Sequence, residues 1–254
     1  MRPSLRRLLF ETLYRNQYLY RFASTVPFAG QWRAWQRQVL PRLRGHDLLE
    51  IGCGLGDLLA DMLAAGYACR AVEHSRQMVA AARATLQRRR VGSPELIIQG
   101  SAQDLPFPDA SFDTVVSTFP SEYIYDPNTI AEVERVLRPG GRLIVIEAAS
   151  LFPVGFLQPL LLLLQAPVYG PRAVFRSRKE REQRNKAEDD SPAEEPVEHS
   201  KAPSGPADPD TTTLVVENAD FGRHIPLERF NLHRRSEIAR SNRWEVYLTL
   251  GEKL

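Results

Sequence analysis

One short stretch constrains the fold of this chain more than any other, because it joins a strand pattern, a glycine-rich turn and a helix pattern without a break. The residues from His46 to Ile51 form a short, largely apolar run that predicts a buried strand. Glycines then alternate with other residues at positions 52, 54 and 56, and apolar residues return at helical spacing from Asp57 to Ala65. Glycines permit a tight turn and let a ligand approach bare backbone. The stretch therefore predicts a ligand-binding turn between a strand and a helix.

The middle of the chain continues this alternation of strands and helices. Further strands are predicted at residues 69–72, 95–98, 112–117 and 142–147, with helices at 76–90 and 127–137. Two more strands are expected at residues 230–234 and 244–250, joined by residues 236–239. Strands separated by single helices pair in parallel through right-handed crossovers. We therefore predict an α/β fold, a doubly wound, seven-stranded, mostly parallel sheet, whose ligand site lies at the carboxyl ends of the strands where the strand order reverses.

The segments that flank this pattern differ in composition. Residues 1–45 predict a helical N-terminal cap, and residues 1–46 contain nine arginines, one acid and eight aromatic residues. Residues 46–254 are predicted as the main domain. Within it, residues 148–171 carry no charge and predict an apolar lid. Residues 176–210 predict a disordered insertion, because they contain too little apolar surface to offset the entropy of ordering.

The overall composition narrows the class of protein. Hydrophobic residues make up 43% and charged residues 25% of the chain, the balance of a soluble globular protein. Two cysteines are too few for a disulfide framework, and their spacing matches no zinc site, so we expect a cytoplasmic location and no metal. The basic residues are not joined to a recognisable nucleic-acid-binding module, so we expect no nucleic acid partner.

A carboxylate after the second strand and a polar loop after the third extend the predicted ligand site. Glu73 lies 17 residues beyond Gly56, and this placement aims its carboxylate at the hydroxyls of a ribose held over the glycine turn. In the next loop, Asp104 would accept a hydrogen bond from the exocyclic amine of an adenine ring. A dinucleotide fingerprint would need a third glycine at the position of Asp57. These residues favour a ligand without phosphates that carries a positive centre and an amino-acid tail.

Taken together, these motifs resemble those of class I S-adenosylmethionine-dependent methyltransferases. The closest group is the broad one that includes ubiquinone/menaquinone and small-lipid methyltransferases. The resemblance covers roughly residues 46–150 and 213–254. It is carried by the stretches at residues 49–56, 72–75, 104–113 and 132–141 and by the closing strand that ends at Lys253. It implies that S-adenosylmethionine is the cofactor and that the activity is methyl transfer to a small acceptor.

The resemblance also implies which residues hold the cofactor. Glu50 and Gly52 would meet its amino-acid end, whereas Gly54 and Gly56 would make room for its ribose and methionine part. Glu73 would bind the ribose hydroxyls. The residues implied beside the adenine ring are His74, Met78, Ala102, Gln103 and Asp104.

The residues after the fourth strand mark the region of the acceptor. Thr118, followed by Phe119 and Pro120, stands where this family brings cofactor and acceptor together. No signature in this stretch fixes the acceptor or a catalytic residue. The candidates for lining the acceptor pocket are Glu122, Tyr123 and Tyr125.

The apolar segment 148–171 is the main clue to the chemistry of the acceptor. It is long enough for a ~20-residue transmembrane helix. However, strands on both sides of it must join one sheet, so we expect a lid, an interfacial membrane contact or a dimer face. Together with the basic residues 1–45, it favours a hydrophobic acceptor, such as a quinone precursor or a lipid, and peripheral contact with the inner membrane surface through both segments.

Two other functions stay open on the sequence alone. The first is a nicotinamide-dependent oxidoreductase on a similar sheet, against which the missing glycine at position 57 argues. The second is a non-catalytic module that keeps the fold in order to bind a partner. The intact Glu50, Glu73 and glycines of the turn argue against that alternative.

Overall fold

The strands of the chain lie in one mixed sheet. A computed structural model describes residues 30–151, 211–216 and 219–254. The strands are β1 (Asp47–Ile51), β2 (Ala68–Glu73), β3 (Ile97–Gln99), β4 (Phe112–Thr118), β5 (Leu137–Leu151), β6 (Thr212–Val215), β7 (Leu232–Arg240) and β8 (Trp244–Lys253). The α-helices are α1 (Trp32–Gln36), α2 (Asp57–Ala64), α3 (Arg76–Arg89) and α4 (Pro127–Val136), and the 3-10 helices are Arg37–Arg42, Pro94–Leu96, Glu122–Tyr125 and Leu227–Arg229.

The order of the strands places one reversal in the middle of the sheet. The order is β3-β2-β1-β4-β5-β8-β7-β6. Strands β1 to β5 pair in parallel, whereas β8, β7 and β6 add to β5 in antiparallel fashion. The predicted α/β fold with a mostly parallel sheet is confirmed. Because the order reverses between β1 and β4, the crevice above their carboxyl ends is the place where such sheets bind ligands.

The number of strands was predicted wrongly, because the sheet has eight strands in the described residues and not seven. The additional strand is β6, an edge strand of four residues that pairs with β7. All four of its residues are exposed. A short strand with no buried face shows no alternation of apolar and polar residues, so the sequence pattern could not indicate it.

Two strands extend beyond their predicted ends. Residues 236–239 were expected to join the last two strands, but they are buried inside β7 and pair with β8. Strand β5 continues to Leu151, so residues 148–151 of the predicted apolar segment pair with the start of β8. The rest of that segment and the predicted insertion at 176–210 lie outside the described residues.

Two helices begin at side chains that cap their first turns. Ser75 precedes α3 and its hydroxyl accepts the backbone N–H of Met78 at 3.4 Å. Asp126 precedes α4 and accepts the N–H of Asn128 at 2.9 Å, with Pro127 in the first turn. These caps fix where each helix leaves the carboxyl edge of the sheet.

The helices cover both faces of the sheet. On one face, α1, α2 and α3 contribute a core that includes the fully buried Leu59, Met62 and Leu86. On the other face, α4 contributes Ile130 and Val133 to a second core. With both faces covered, the carboxyl edge above β1 and β4 is the part of the central sheet left for a ligand.

An ionic cluster holds the first described helix against the domain. The carboxylate of Asp61, in α2, accepts hydrogen bonds from Arg33 at 2.7 Å, Arg37 at 2.9 Å and Arg89 at 2.7 Å. The side chain of Asp61 is 7% exposed. These arginines lower the pKa of Asp61 to about 2 against the opposing effect of burial. The cluster therefore docks α1 by charge as well as by apolar packing.

We predict that Asp61→Asn destabilises the fold by roughly 1.5–3 kcal/mol at neutral pH, because hydrogen bonds to a charged group are lost. Since the folded pKa lies below the usual 3.8, the stabilisation by Asp61 is present above that value and disappears as the pH falls towards about 2. The free energy of unfolding, measured in urea across this pH range, should fall less steeply with decreasing pH in the variant than in the parent chain. The exposed Glu95→Gln is the matched control, and identical curves for Asp61→Asn and the parent chain would contradict the prediction.

Candidate functional site

The glycine turn between β1 and α2 has the backbone conformation that its sequence requires. Gly52, Gly54 and Gly56 have φ angles of +72°, +52° and +73°, in the left-handed region that side chains other than glycine rarely adopt. A Cβ atom on Gly56 would lie 2.9 Å from the Cβ of Ala82 in α3. The first two glycines therefore serve the turn, and the third also lets α3 pack closely against it.

Glu73, at the end of β2, ties this turn to the next one. Its Oε2 accepts the backbone N–H of Gly54 at 3.0 Å, and its Oε1 accepts the N–H of Ser75 at 2.8 Å. The residue is 8% exposed. Each carboxylate oxygen can accept more than one hydrogen bond. The carboxylate thus keeps acceptor capacity for a ligand while it fixes the two turns against each other.

Glu50, at the end of β1, is a buried acid with an unpartnered oxygen. It is 1% exposed, and its Oε2 has no hydrogen-bond partner. Burial raises the pKa of Glu50 well above its usual value, and the charges of Glu73 and Asp57 raise it further. Buried polar atoms without a partner are rare in folded proteins. This oxygen is therefore suited to a donor group that a ligand would bring, above all a positively charged one.

The loop after β3 lies at the same carboxyl edge of the sheet, and side chains of α4 hold it in place. Glu132 in α4 accepts the backbone N–H of Leu105 at 2.7 Å, and Arg135 donates to the carbonyl of Phe107 at 2.7 Å. Gln103 donates to Asp126 at 3.2 Å. Of the other residues predicted beside adenine, Met78 and Ala102 are buried whereas His74 and Asp104 are exposed.

The two tyrosines predicted to line the acceptor pocket belong to the 3-10 helix Glu122–Tyr125 and have different partners. The hydroxyl of Tyr123 bonds with the Ser117 hydroxyl at 2.7 Å and donates to the carbonyl of Ile51 at 3.1 Å. Tyr125 is 41% exposed and meets the ring of His224 edge to face. Glu122 is exposed. Tyr123 therefore supports the glycine turn, whereas Tyr125 lines a cleft together with His224.

The end of β4 contacts α1, which none of the sequence motifs indicates as part of the site. Thr118 accepts a hydrogen bond from the side-chain amide of Gln36 at 3.1 Å. The ring of Phe119 lies against Trp32, with centroids 4.2 Å apart. The aromatic composition of the N-terminal region was the only sequence signal for this wall. The site therefore includes a side contributed by residues that precede the sheet.

The described residues contain no group of three or more His, Cys, Asp or Glu side chains that could hold a metal ion. None of the helices described is long and apolar enough to cross a bilayer.

Comparison with known proteins agrees with this geometry. Residues 49–145 match the protein family described as a methyltransferase domain. The family match begins in β1, one residue before Glu50, and ends in β5. It therefore contains the glycine turn, Glu73 and the loop after β4.

Two proteins similar to this chain carry the same name, demethylmenaquinone methyltransferase. The protein of Symbiobacterium thermophilum is 36% identical over 157 residues, which are 58% of this chain and 60% of that protein. The protein of Bacillus licheniformis is 29% identical over 168 residues, which are 64% of this chain and 71% of that protein. The chain thus matches only about three fifths of the length of the first relative.

Solved structures agree on the fold. The PH0226 protein from Pyrococcus horikoshii OT3 aligns with a TM-score of 0.52 at 19% identity, over 94% of this chain and 99% of that chain. A protein from Methanococcus maripaludis aligns with a TM-score of 0.51 at 15% identity, over 94% and 93% of the two chains. Identities this low bear on the architecture alone.

We predict that Glu50→Gln makes the chain more stable at neutral pH, by about 1–3 kcal/mol, and weakens cofactor binding. The folded pKa of Glu50 is raised, so the protonated form is favoured in the fold. Stability is then lost as the pH rises from about the usual value of 4.5 through the folded pKa. Glutamine has the same shape without this cost. Thermal unfolding across pH measures the effect, and a Glu50→Gln variant less stable than the parent at neutral pH would refute it.

Proposed function

We propose that this chain is an S-adenosylmethionine-dependent methyltransferase that acts on a small hydrophobic acceptor, a quinone precursor. The names of the relatives support the type of acceptor, and the match of residues 49–145 to a methyltransferase-domain family supports the reaction. The observation that carries the proposal is the buried, unpartnered oxygen of Glu50 at the glycine turn that Glu73 holds in place.

The residues at this edge fit the proposed cofactor. The unpartnered carboxyl of Glu50 would accept from its amino group, and the bare backbone of Gly52 and Gly54 would let its amino-acid end approach. Glu73 would accept from the ribose hydroxyls with its remaining lone pairs. The residues proposed beside the adenine ring are His74, Met78, Ala102, Gln103 and Asp104. Gly56 would act through its close packing against α3.

In such a reaction, the protein itself would position the cofactor and the acceptor and exclude water. The cofactor would supply the methyl group as part of a sulfonium ion, which is reactive by itself. Holding two reactants in line can lower a barrier by ~7–11 kcal/mol. In this chain, Tyr123 holds the turn, and Trp32 and Phe119 form an aromatic wall at the end of β4, beside Thr118. These contacts would keep the reacting groups aligned and the site dry.

A turnover assay tests the proposal. The full chain should produce S-adenosylhomocysteine when it is supplied with S-adenosylmethionine and a reduced demethylated naphthoquinone. Calorimetry with S-adenosylmethionine and with a nicotinamide dinucleotide separates a methyltransferase from an oxidoreductase. Binding of the dinucleotide alone would overturn the proposal, and cofactor binding without turnover on any acceptor would favour a non-catalytic module.

We predict that Glu73→Ala weakens S-adenosylmethionine binding by ~10–150-fold, the equivalent of ~1.5–3 kcal/mol for hydrogen bonds to a charged group. The variant also releases the N–H groups of Gly54 and Ser75, so the turn should loosen. Gly54→Val should abolish binding, because it places a branched side chain at a positive φ in the path of the ligand. Calorimetry measures both effects. Glu95→Ala is the control, and parent-like affinity in folded Glu73→Ala would show that the carboxylate only holds the turns.

We further propose that the acceptor reaches the site from an anionic membrane surface. The nine arginines of residues 1–46 and the uncharged segment 148–171 support this proposal. Arg33, Arg37 and Arg42 are already engaged in ion pairs with Asp61 or Glu237. The arginines proposed to meet the membrane are Arg2, Arg6, Arg7, Arg15 and Arg172.

We predict that the chain sediments with anionic lipid vesicles at low salt, since each basic residue near such a surface contributes ~1 kcal/mol. Binding should weaken with added salt, and weaken further when Leu161, Leu162 and Leu163 are all changed to Ser. Neutral vesicles are the control. A chain that stays in the supernatant with anionic vesicles at low salt would disprove the membrane part and leave the proposed methyl transfer untouched.

A further inference from the structure

The side chain of Glu50 lies in an apolar part of the core. In the sheet, Glu50 stands opposite Ala71 of β2 on one side and opposite Val116 of β4 on the other. Directly opposed residues place their side chains on the same face of a sheet, and both of these neighbours are fully buried. A carboxylate in such surroundings loses its hydration, which favours the protonated form of the acid.

The hydrogen bonds of Glu50 do not offset this loss of hydration. The backbone N–H of Leu59, in the first turn of α2, bonds with the carboxyl group and opposes the effect of burial. The other oxygen, Oε2, has no hydrogen-bond partner. Among the residues that the structure describes, no Lys, Arg or His side chain forms an ion pair with Glu50. A buried carboxylate needs a counterion as well as hydrogen bonds, so the fold favours Glu50 as a neutral acid.

The strongest charges that act on Glu50 are negative. They belong to Glu73 at the end of β2 and to Asp57 and Asp61 of α2, and each of them raises the pKa of Glu50. The charge of Asp61 is opposed by the arginines that surround it, among them Arg89 at the end of α3. Glu73 and Asp57 thus face Glu50 from two neighbouring elements. A second negative charge beside them is unfavourable unless a positive charge arrives with it.

The remaining polar groups around Glu50 are neutral or already engaged. Burial raises the pKa of the Cys53 thiol well above its usual range, and that of the Cys69 thiol to about 12. Both thiols therefore keep their protons at neutral pH. The hydroxyl of Tyr123, from the 3-10 helix after β4, bonds with the carbonyl of Ile51 at 3.1 Å. None of these groups supplies a positive charge, so Glu50 is the acid whose proton a cationic ligand would displace.

We propose that the cofactor expels the proton of Glu50 when it binds, so that Glu50 becomes the counterion of the cofactor's ammonium group. The inference rests on the proposed methyltransferase function and specifies how the site recognises the positive charge of its ligand. The O–H bond of the carboxyl group breaks, its electron pair stays on the oxygen, and the proton passes to solvent. The ligand brings the positive charge that the residues around Glu50 lack.

This exchange makes the affinity for the cofactor depend on pH. An opposite charge nearby favours the ionised acid, and binding that releases a proton becomes tighter as the pH rises. Where a full proton is released, the dissociation constant falls by about tenfold per pH unit. A ligand without an ammonium group gives Glu50 no counterion, so its affinity should stay constant over the same pH range.

Calorimetry with two ligands tests the exchange without any turnover. S-adenosylhomocysteine carries the amino-acid tail, whereas 5′-methylthioadenosine has a similar nucleoside and sulfur atom but no such tail. Titrations of the full chain in buffers with different heats of ionisation give the number of protons released. They are run between about pH 5.5 and about pH 7, where an α-amino group with a pKa of ~7.7–8.0 already carries its proton. S-adenosylhomocysteine should release about one proton per bound molecule, and 5′-methylthioadenosine should release none.

A variant assigns the proton to its residue. Glu50→Gln has nearly the same shape and no proton to lose, so it should bind S-adenosylhomocysteine more weakly, without proton release and with an affinity that does not change with pH. The exposed Glu95→Gln is the matched control and should behave like the parent chain. Infrared difference spectra of the parent chain should show the loss of a protonated carboxyl band on binding. The spectra and the comparison of the two ligands decide the matter even where Glu50→Gln binds too weakly for calorimetry.

The outcomes separate this inference from the proposed function. Binding of S-adenosylhomocysteine without proton release and without loss of the carboxyl band would overturn the proton exchange and leave the methyltransferase function standing. Proton release that persists in Glu50→Gln would overturn the assignment to Glu50. A folded chain that binds no S-adenosylhomocysteine at any pH would overturn both.

Discussion

The two hydrogen bonds that the Glu73 carboxylate accepts hold the candidate site together. One bond reaches the turn after β1 and the other reaches the turn after β2, so a single side chain sets the distance between the carboxyl ends of two neighbouring strands. Because both donors are backbone groups, the arrangement depends on the fold and not on the identity of other side chains. The buried acid of Glu50 lies within electrostatic reach of this carboxylate. The described part of the site thus places two acids at one edge of the sheet, with the turns around them held by Glu73.

The chain stabilises this pocket from outside with ion pairs between segments distant in sequence. Asp61 gathers arginines from α1, from the turn after it and from the end of α3. Arg42 makes a buried ion pair with Glu237 of β7 at 2.6 Å. Burying an ion pair removes the hydration of both charges, and this cost offsets much of their attraction. The chief effect of the pair is therefore to favour one position of the segment over others. The first described helix is in this way held over the end of β4, where Trp32 and Gln36 contact Phe119 and Thr118.

The sequence predicts those parts of the molecule in which local pattern and tertiary structure agree. The turn from Gly52 to Gly56 follows from glycine spacing, and the starts of α3 and α4 follow from their caps. The charge cluster could not be predicted, because Asp61 is an ordinary polar position on an amphipathic helix and its partners lie 24 and 28 residues away. Strand β6 has no buried face, so no alternation of apolar and polar residues indicates it. The different partners of Tyr123 and Tyr125 could not be predicted either, because the hydrogen bond from Tyr123 to Ile51 spans 72 residues.

The positions of β5 and β6 in the sheet bear on how the sequence between them can vary. Strand β5 ends, and β6 begins, at the same carboxyl edge of the sheet, three strand spacings apart, or roughly 14 Å. The sheet therefore fixes where the chain leaves and returns but sets no length for what lies between. Each doubling of a flexible connection costs only ~0.6 kcal/mol of closure entropy. Sequence can be inserted, exchanged or trimmed there over generations, and each version starts and ends at the same carboxyl edge of the sheet.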